Sequence, residues 1–277
     1  MGLNPSQILY RDEFVASFEQ RQSYLRDTVT NEAMVKGNSA IFLVTGQAES
    51  MKERGVDGLI PASNETDVQV TINLKEMHHR TTATNFDIFQ GQSDRRRIMQ
   101  MRGMVAANKE IDDNITAALA SATNLWNTGT AITSITIGVL VDMISELYEQ
   151  QVDNDGLITC VWTPKLYARV MTLAQVSSVD YVDKKPLIDG PQPFKFLGAT
   201  HIMHPRLPGV GTATAANYIY HKASLGHAVD TAGIKTDIGY NGEHDYSYAR
   251  HTLYHGSKIL QNAGILRVNH NDTTAIS

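Results

Sequence analysis

Ten histidines among 277 residues are the first candidates for chemistry, because imidazole both ligates metals and carries protons near neutral pH. His201 and His204 lie three apart and His251 and His255 four apart, spacings that on a helix would share a face and could hold zinc. Both pairs sit in stretches that read as extended. In a strand an odd separation sends side chains to opposite faces, and a separation of four places them about 13 Å apart. His78 and His79 are adjacent and diverge in the same way. These positions imply no metal site. Gly209 to Gly211 is only a fragment of a phosphate-binding loop, with no following lysine and no helix pattern. Asp112 and Asp113 are neighbours on a helical pattern and cannot face one site. Glu243, His244 and Asp245 follow Asn241 and Gly242 as a surface turn would, with no nucleophile linked to them. Cys160, the single cysteine, lies in the apolar run Leu157 to Trp162 and reads as a small core residue, so an intrachain disulfide is excluded. No catalytic constellation and no cofactor site emerges, and the chain is not read as an enzyme.

A hydrophobic content of 42% over this length is that of a globular protein. The formal charge of −5, with a pI near 6.0, argues against a dedicated reader of nucleic acids, which usually carries a basic stripe. The one basic run, Arg95, Arg96 and Arg97, opens a helix, where cations oppose the macrodipole; a contact with another subunit or with nucleic acid, and a solvated helix face, both fit it. No run approaches the roughly 18 apolar residues that span a bilayer. The start of the chain, with Asn4, Pro5, Arg11, Asp12 and Glu13, has no apolar signal core. Cytoplasmic synthesis without a membrane partner is the expectation.

The elements that would position these residues follow from periodicity. Residues 1–38 are mostly polar, with Phe14, Phe18, Tyr24 and Leu25 irregularly spaced among arginines, and read as an arm. Ser39 to Gly46 and Glu65 to Leu74 are extended segments joined by a long polar stretch containing Gly46, Gly55, Gly58 and Pro61. In the second segment Val68, Val70, Ile72 and Leu74 alternate with Asp67, Gln69, Thr71 and Asn73, the signature of a half-buried strand. The pair reads as a projecting hairpin whose apolar stripe needs cover from another chain. From about 94 to 122, Ile98, Met101, Val105, Ile111, Ile115, Leu119 and Ala122 recur at helical spacing. A helix of that length spans roughly 40 Å and acts as a strut, its narrow alanine-rich stripe suited to packing against a sheet on one side. Residues 125–207 read as an α/β unit, with Thr163 and Pro164 as N-cap and first helical residue. After Pro208, short alternating segments through Tyr218, Tyr220, Tyr246, Tyr248 and Gly264 to Val268 read as strands.

This order of elements resembles the major capsid proteins of tailed bacteriophages, the Hong Kong 97 fold. Thr163 to Leu173 (TPKLYARVMTL) is similar to the strand-then-helix of that family's axial domain. Phe196 to Pro208 (FLGATHIMHPRLP) resembles its return strand, and Tyr218 to Ala228 (YIYHKASLGHA) the strand pair that re-enters its peripheral domain. The resemblance implies an α+β fold: an N-terminal arm at 1–38, an extended β-hairpin loop at 39–74, a peripheral domain at 75–124 containing the spine helix, an α/β axial domain at 125–207, and a β-rich C-terminal part of the peripheral domain at 208–277. It implies a virion shell protein that assembles with itself as hexamers and pentamers around packaged double-stranded DNA, which it touches weakly and without sequence preference. Phe14, Phe18, Arg21 and Tyr24 would make inter-subunit contacts from the arm, and Met51, Arg54, Leu59 and Ile60 from the extended loop. Arg95, Arg96, Arg97, Ile111 and Ile115 mark the spine helix. A scaffolding protein, a portal and a decoration protein are further candidate partners. Some relatives begin with a long helical scaffolding segment; the short arm here implies a separate scaffold or unaided assembly. The alternatives are another virion part, in a tail or connector, and a soluble α/β hydrolase or metal-dependent enzyme with a decorative hairpin.

Overall fold

The computed structural model describes residues 20–35, 37–58, 60, 62–63, 66–86, 95–177, 192–230 and 233–276. Two five-stranded sheets share one long helix, α1 (Arg95–Ala120). The first sheet has the order β12-β8-β5-β7-β6, built from β5 (Ile158–Trp162), β6 (Phe194–Phe196), β7 (Ala199–Met203), β8 (Ala215–His221) and β12 (Ile265–His270). β5 runs parallel to β7 and antiparallel to β8. Every residue of β5 and β8 is buried, which is why their sequences read as continuous apolar runs rather than alternating ones. Alternation survives in the choice of core. Ile158, Cys160, Trp162 and Ile219 pack with α2 (Ile137–Glu149) and α3 (Pro164–Met171), while Val161, Tyr218 and Tyr220 point to α1 on the other face. Burial pushes the Cys160 thiol well above its ordinary range, as a small core residue requires.

The helices covering the first sheet start where their caps dictate. Thr136 Oγ1 accepts a bond from the amide of Val139 at 3.4 Å, and Thr163 Oγ1 does the same for Leu166 at 3.4 Å, with Pro164 at the first helical position. Leu140, Met143, Ile144 and Leu147 form the buried stripe of α2.

The second sheet is organised around β11 (Tyr246–Ile259). His255 pairs with Lys75 of β4 (Lys75–Thr84) on one side and with Val229 of β9 (Leu225–Asp230) on the other, so β11 is central. β10 (Lys235–Asn241) continues along the β9 edge, and β1 (Thr30–Val35) pairs parallel with β9. This last pairing places the end of the stretch expected to be an arm, from Leu25 to Val35, in the core instead; residues 1–19 lie outside the described residues. Leu25 and Val29 are fully buried and join Ile111, Ile115 and Leu119. The sequence Thr30 to Val35 has too weak an alternation to advertise a strand whose partner lies nearly 200 residues away. The expected break at 207/208 does not separate the sheets either, because β8 and β12 complete the sheet begun by β5 and β7.

The strut expected over 94–122 is found as α1, with Ala107, Ile111, Ile115 and Leu119 buried at spacings of four. It is not one-sided. Its core includes residues of both sheets, Val161, Tyr218 and Tyr220 from the first and Val229 and Leu253 from the second. The hairpin pairs β2 (Ser39–Thr45) with β3 (Asp67–Asn73), and its base is seated by Val35, Ala40, Ile72 and Ala228. The chain exposes 17023 Å², against about 11,900 Å² for a compact monomer of this mass.

Candidate inter-subunit surfaces

The hairpin register places Ala40 opposite Ile72, Phe42 opposite Val70 and Val44 opposite Val68, so these six side chains share one face. Burial fades along that face, from Ala40 and Ile72 at the base to Val68, which is 56% exposed. The opposite face carries Ile41 and Leu43 across from Thr71 and Gln69. They are 61% and 63% exposed. A two-stranded ribbon is marginal in water by itself, and this one presents apolar side chains on both sides. At the far end Gly46 donates its amide to Thr66 O at 2.9 Å, and a Cβ on Gly46 would lie 2.5 Å from that oxygen, so the strands can close there only without a side chain. Beyond it, Met51, Val56 and Ile60 are almost wholly exposed, while Arg54 donates to Gly58 O at 2.9 Å and holds the turn.

The stretch from Gln20 to Leu25, α1 and the segment after β7 are tied together at Asp112, fully buried on α1. Its carboxylate accepts bonds from Gln20 Nε2, from Ser23 Oγ at 2.5 Å, and from the amides of Tyr24 and Leu25 at 3.0 and 3.2 Å. His204 Nε2 approaches it at 3.3 Å from the segment after β7. Burial alone would raise the Asp112 pKa; the bonds from His204, Ser23 and Tyr24 together outweigh it and hold the carboxyl below its ordinary range. Arg206 completes the clamp, donating to Asp113 Oδ2 at 2.8 Å, Lys109 O at 2.9 Å and Gln20 Oε1 at 3.2 Å. The histidines three apart face opposite ways, as their spacing requires. His201 accepts from Trp162 Nε1 at 2.9 Å on the α2 side, while His204 serves Asp112.

A model of the phage capsid protein family matches residues 5–272. The chain belongs to that family. No curated protein sequence matches it, whereas solved capsid structures do. A Mycobacterium phage Che8 chain is 15% identical, with a TM-score of 0.77 and 99% of each chain covered. The capsid of cyanophage P-SCSP1u is 16% identical, with a TM-score of 0.73 over 95% of this chain and 92% of that one. The capsid of a native GTA particle is 12% identical, with a TM-score of 0.74 over 97% and 95%. The fold is the Hong Kong 97 type, and the chain is a major capsid subunit.

Within this capsid fold the site residues read from the sequence divide into three groups. Arg21, Tyr24, Met51, Arg54, Ile60 and Arg97 are exposed. Ile111 and Ile115 are buried in the α1 core. Phe14, Phe18 and Leu59 lie outside the described residues; Arg95 and Arg96 open α1, and only their backbone is described. The sequence reading missed three things. Asp112 reads with Asp113 only as a pair unable to face one site, yet it is fully buried, and Thr116 four residues on, also buried, donates to the Asp112 carbonyl at 2.6 Å. Arg206 gave no signal. Ile41 and Leu43 do give one, since Ala40 to Val44 is an unbroken apolar run, which places apolar side chains on both faces of a strand.

Proposed function

We propose that this chain assembles with copies of itself as hexamers and pentamers into a closed icosahedral shell around packaged double-stranded DNA, each hairpin lying across a neighbour. It performs this role as a structural protein without catalysing a reaction. The observation that carries the reading is the ribbon with apolar side chains on both faces, Ile41 and Leu43 on one and Val68 on the other. Fully burying an isoleucine or leucine contributes about 1.5–3 kcal/mol, so repetition around a capsomer yields a substantial driving force from individually modest contacts. Tip residues Met51, Val56 and Ile60 extend the same surface outward. Scaffolding, portal and decoration proteins are the partners that capsid assembly of this kind suggests, and the virion is where the chain acts, after synthesis in the host cytoplasm. Among the described residues no helix is long and apolar enough to cross a membrane. Negative-stain electron microscopy of the expressed chain, alone and with its phage's other structural proteins, is the test. Closed shells are expected; rings or tubes would favour a connector or tail part.

A further inference from the structure

The face of the second sheet that packs against α1 carries three buried histidines: His227 on β9, and His251 and His255 on β11. On β11 they flank Leu253, which belongs to the α1 core, and Ser257, directly opposite His227, continues the same face. Both ring nitrogens of His251 and of His255 are buried without a hydrogen-bond partner, as are Nε2 of His227 and Nδ1 of His79, the residue paired with His251 on β4. His227 Nδ1 is satisfied by Ser257 Oγ at 2.8 Å. Orphaned polar atoms at this density are rare in protein interiors. They are concentrated at one seam. A cavity of about 160 Å³ opens there between Glu110 and Ala106 of α1, Met77 and His79 of β4, and His251 and Leu253 of β11. At Gly103 the helix backbone presses on the His251 ring so closely that a Cβ would lie 2.0 Å from Nδ1. No three histidine, cysteine or acidic side chains among the described residues converge as a metal site would need.

Neutral rings fit this seam and cations do not. Burial pushes His255 down to about 4 and His227 down to about 3, and holds His251 below its ordinary value. The charged neighbours make protonation worse. Lys75 on β4 faces His255, Arg26 and His255 face His227, and His79 faces His251. On the acidic side, Glu110 Oε1 is 3.9 Å from His255 Nε2, and its carboxyl is itself raised by burial and by Asp113. Asp112 faces His227 too, but its oxygens already accept from Gln20, Ser23, Tyr24, Leu25 and His204. One acid can therefore compensate one of three new cations, and the others need water.

We propose that the contact between α1 and the second sheet is an acid-sensitive latch, in which protonation of His227, His251 and His255 frees the spine helix from β9 and β11 before the first sheet opens. The first sheet holds two histidines that burial also depresses, His201 to about 4 and His270 below its ordinary value, against three at the seam. His201 accepts from Trp162 and bonds Phe196 O at 3.2 Å through its other nitrogen, and His270 has Asp272 at 2.6 Å to stabilise its charge. For a histidine depressed on folding, the contribution to stability is complete above about pH 6.5 and declines as pH falls toward the folded value, because the open state binds the extra proton. Each such histidine weakens closure by about tenfold per pH unit within that window.

Hydrogen exchange of the full chain between about pH 7 and 4.5, corrected for the intrinsic pH dependence of exchange, reads the latch directly. Peptides covering residues 103–115 and 250–259 should lose at least about tenfold in protection per pH unit below about 6, ahead of peptides covering 158–162. The variant carrying His227→Asn, His251→Gln and His255→Gln should show a flat profile at the seam. Unchanged protection in the natural chain down to about pH 4.5, or the same slope in the variant, would overturn the proposal. If the triple variant does not fold, His255→Gln alone should reduce the slope, and NMR titration of the natural chain's imidazoles decides. Midpoints below about 5 that coincide with seam opening support the latch, and midpoints near 6.5 with the seam still closed refute it.

Discussion

At the scale of single residues, the subunit depends on an acid that neither its sequence neighbours nor its spacing distinguishes from a surface one. Asp112 and Asp113 are adjacent on α1, yet the first is buried under the arm and the second is half exposed and paired with Arg206. Helical rotation of about 100° per residue separates them, and only the tertiary placement of Gln20 to Leu25 gives Asp112 its donors. Asp112→Asn should therefore be costly. The amide group would face donors on every side, and the loss is expected to be roughly 2–4 kcal/mol in denaturant unfolding, with proteolysis newly admitted near Gln20 to Leu25. The same carboxylate sets an acid limit. Because its folded pKa is depressed, the stability it contributes is complete above about pH 4 and is lost as pH falls through the folded value, whereas in Asp112→Asn that final acid step should be missing. Gly103 is the other residue whose role is invisible without the fold. Gly103→Ala drives a methyl into the buried His251 ring and should cost roughly 1–3 kcal/mol by thermal unfolding, since neither the helix nor the enclosed ring can yield freely.

Among the elements, those with strong local patterns were legible and those defined by distant partners were not. The alternation of Asp67 to Asn73 and the three-and-four spacing along α1 marked both elements to within a few residues, and Thr163 with Pro164 marked the start of α3. β1 and its pairing with β9 were hidden, because a parallel strand at a sheet edge takes its identity from its neighbour rather than from its own sequence. The hairpin itself separates folding from assembly. Ile72 is buried at its base, so Ile72→Ala should destabilise the subunit by roughly 2–4 kcal/mol. Ile41 and Leu43 touch mainly solvent, so Ile41→Asp with Leu43→Asp should leave subunit stability within about 0.5 kcal/mol per site and yet prevent shells from forming. Equal unfolding midpoints together with absent particles in electron micrographs are the expected pair of results; normal particles would remove this face from the assembly interface.

For the whole molecule, the order of the elements carried the fold even though no single motif in it is specific, since capsid chains only 12–16% identical superimpose over nearly their full length. What binds to what is less legible, because an exposed residue looks alike whether solvent or a neighbour covers it. Charge is the exception. With 24 basic against 29 acidic residues the chain has no basic excess, and four of its cations are matched: Arg206 with Asp113 at 2.8 Å, Lys235 with Asp230 at 2.9 Å, Arg250 with Asp237 at 3.1 Å and Lys52 with Glu49 at 2.5 Å. Each pairing offsets a cation that could otherwise displace counterions from DNA. A wall that gripped its contents would also oppose the movement of DNA during packaging. Purified subunits should accordingly bind duplex DNA no more tightly than ordinary non-specific proteins, with Kd about 10⁻⁴ to 10⁻⁶ M, without sequence preference, and with affinity collapsing as salt rises. Fluorescence anisotropy at physiological salt measures this directly. Replacing Arg21 and Arg26, which are exposed on the segment that leads into β1, by glutamine should lower the salt slope by about 1–2 if that segment is where the contact is made. Nanomolar, sequence-selective binding would be incompatible with a containing wall of this charge.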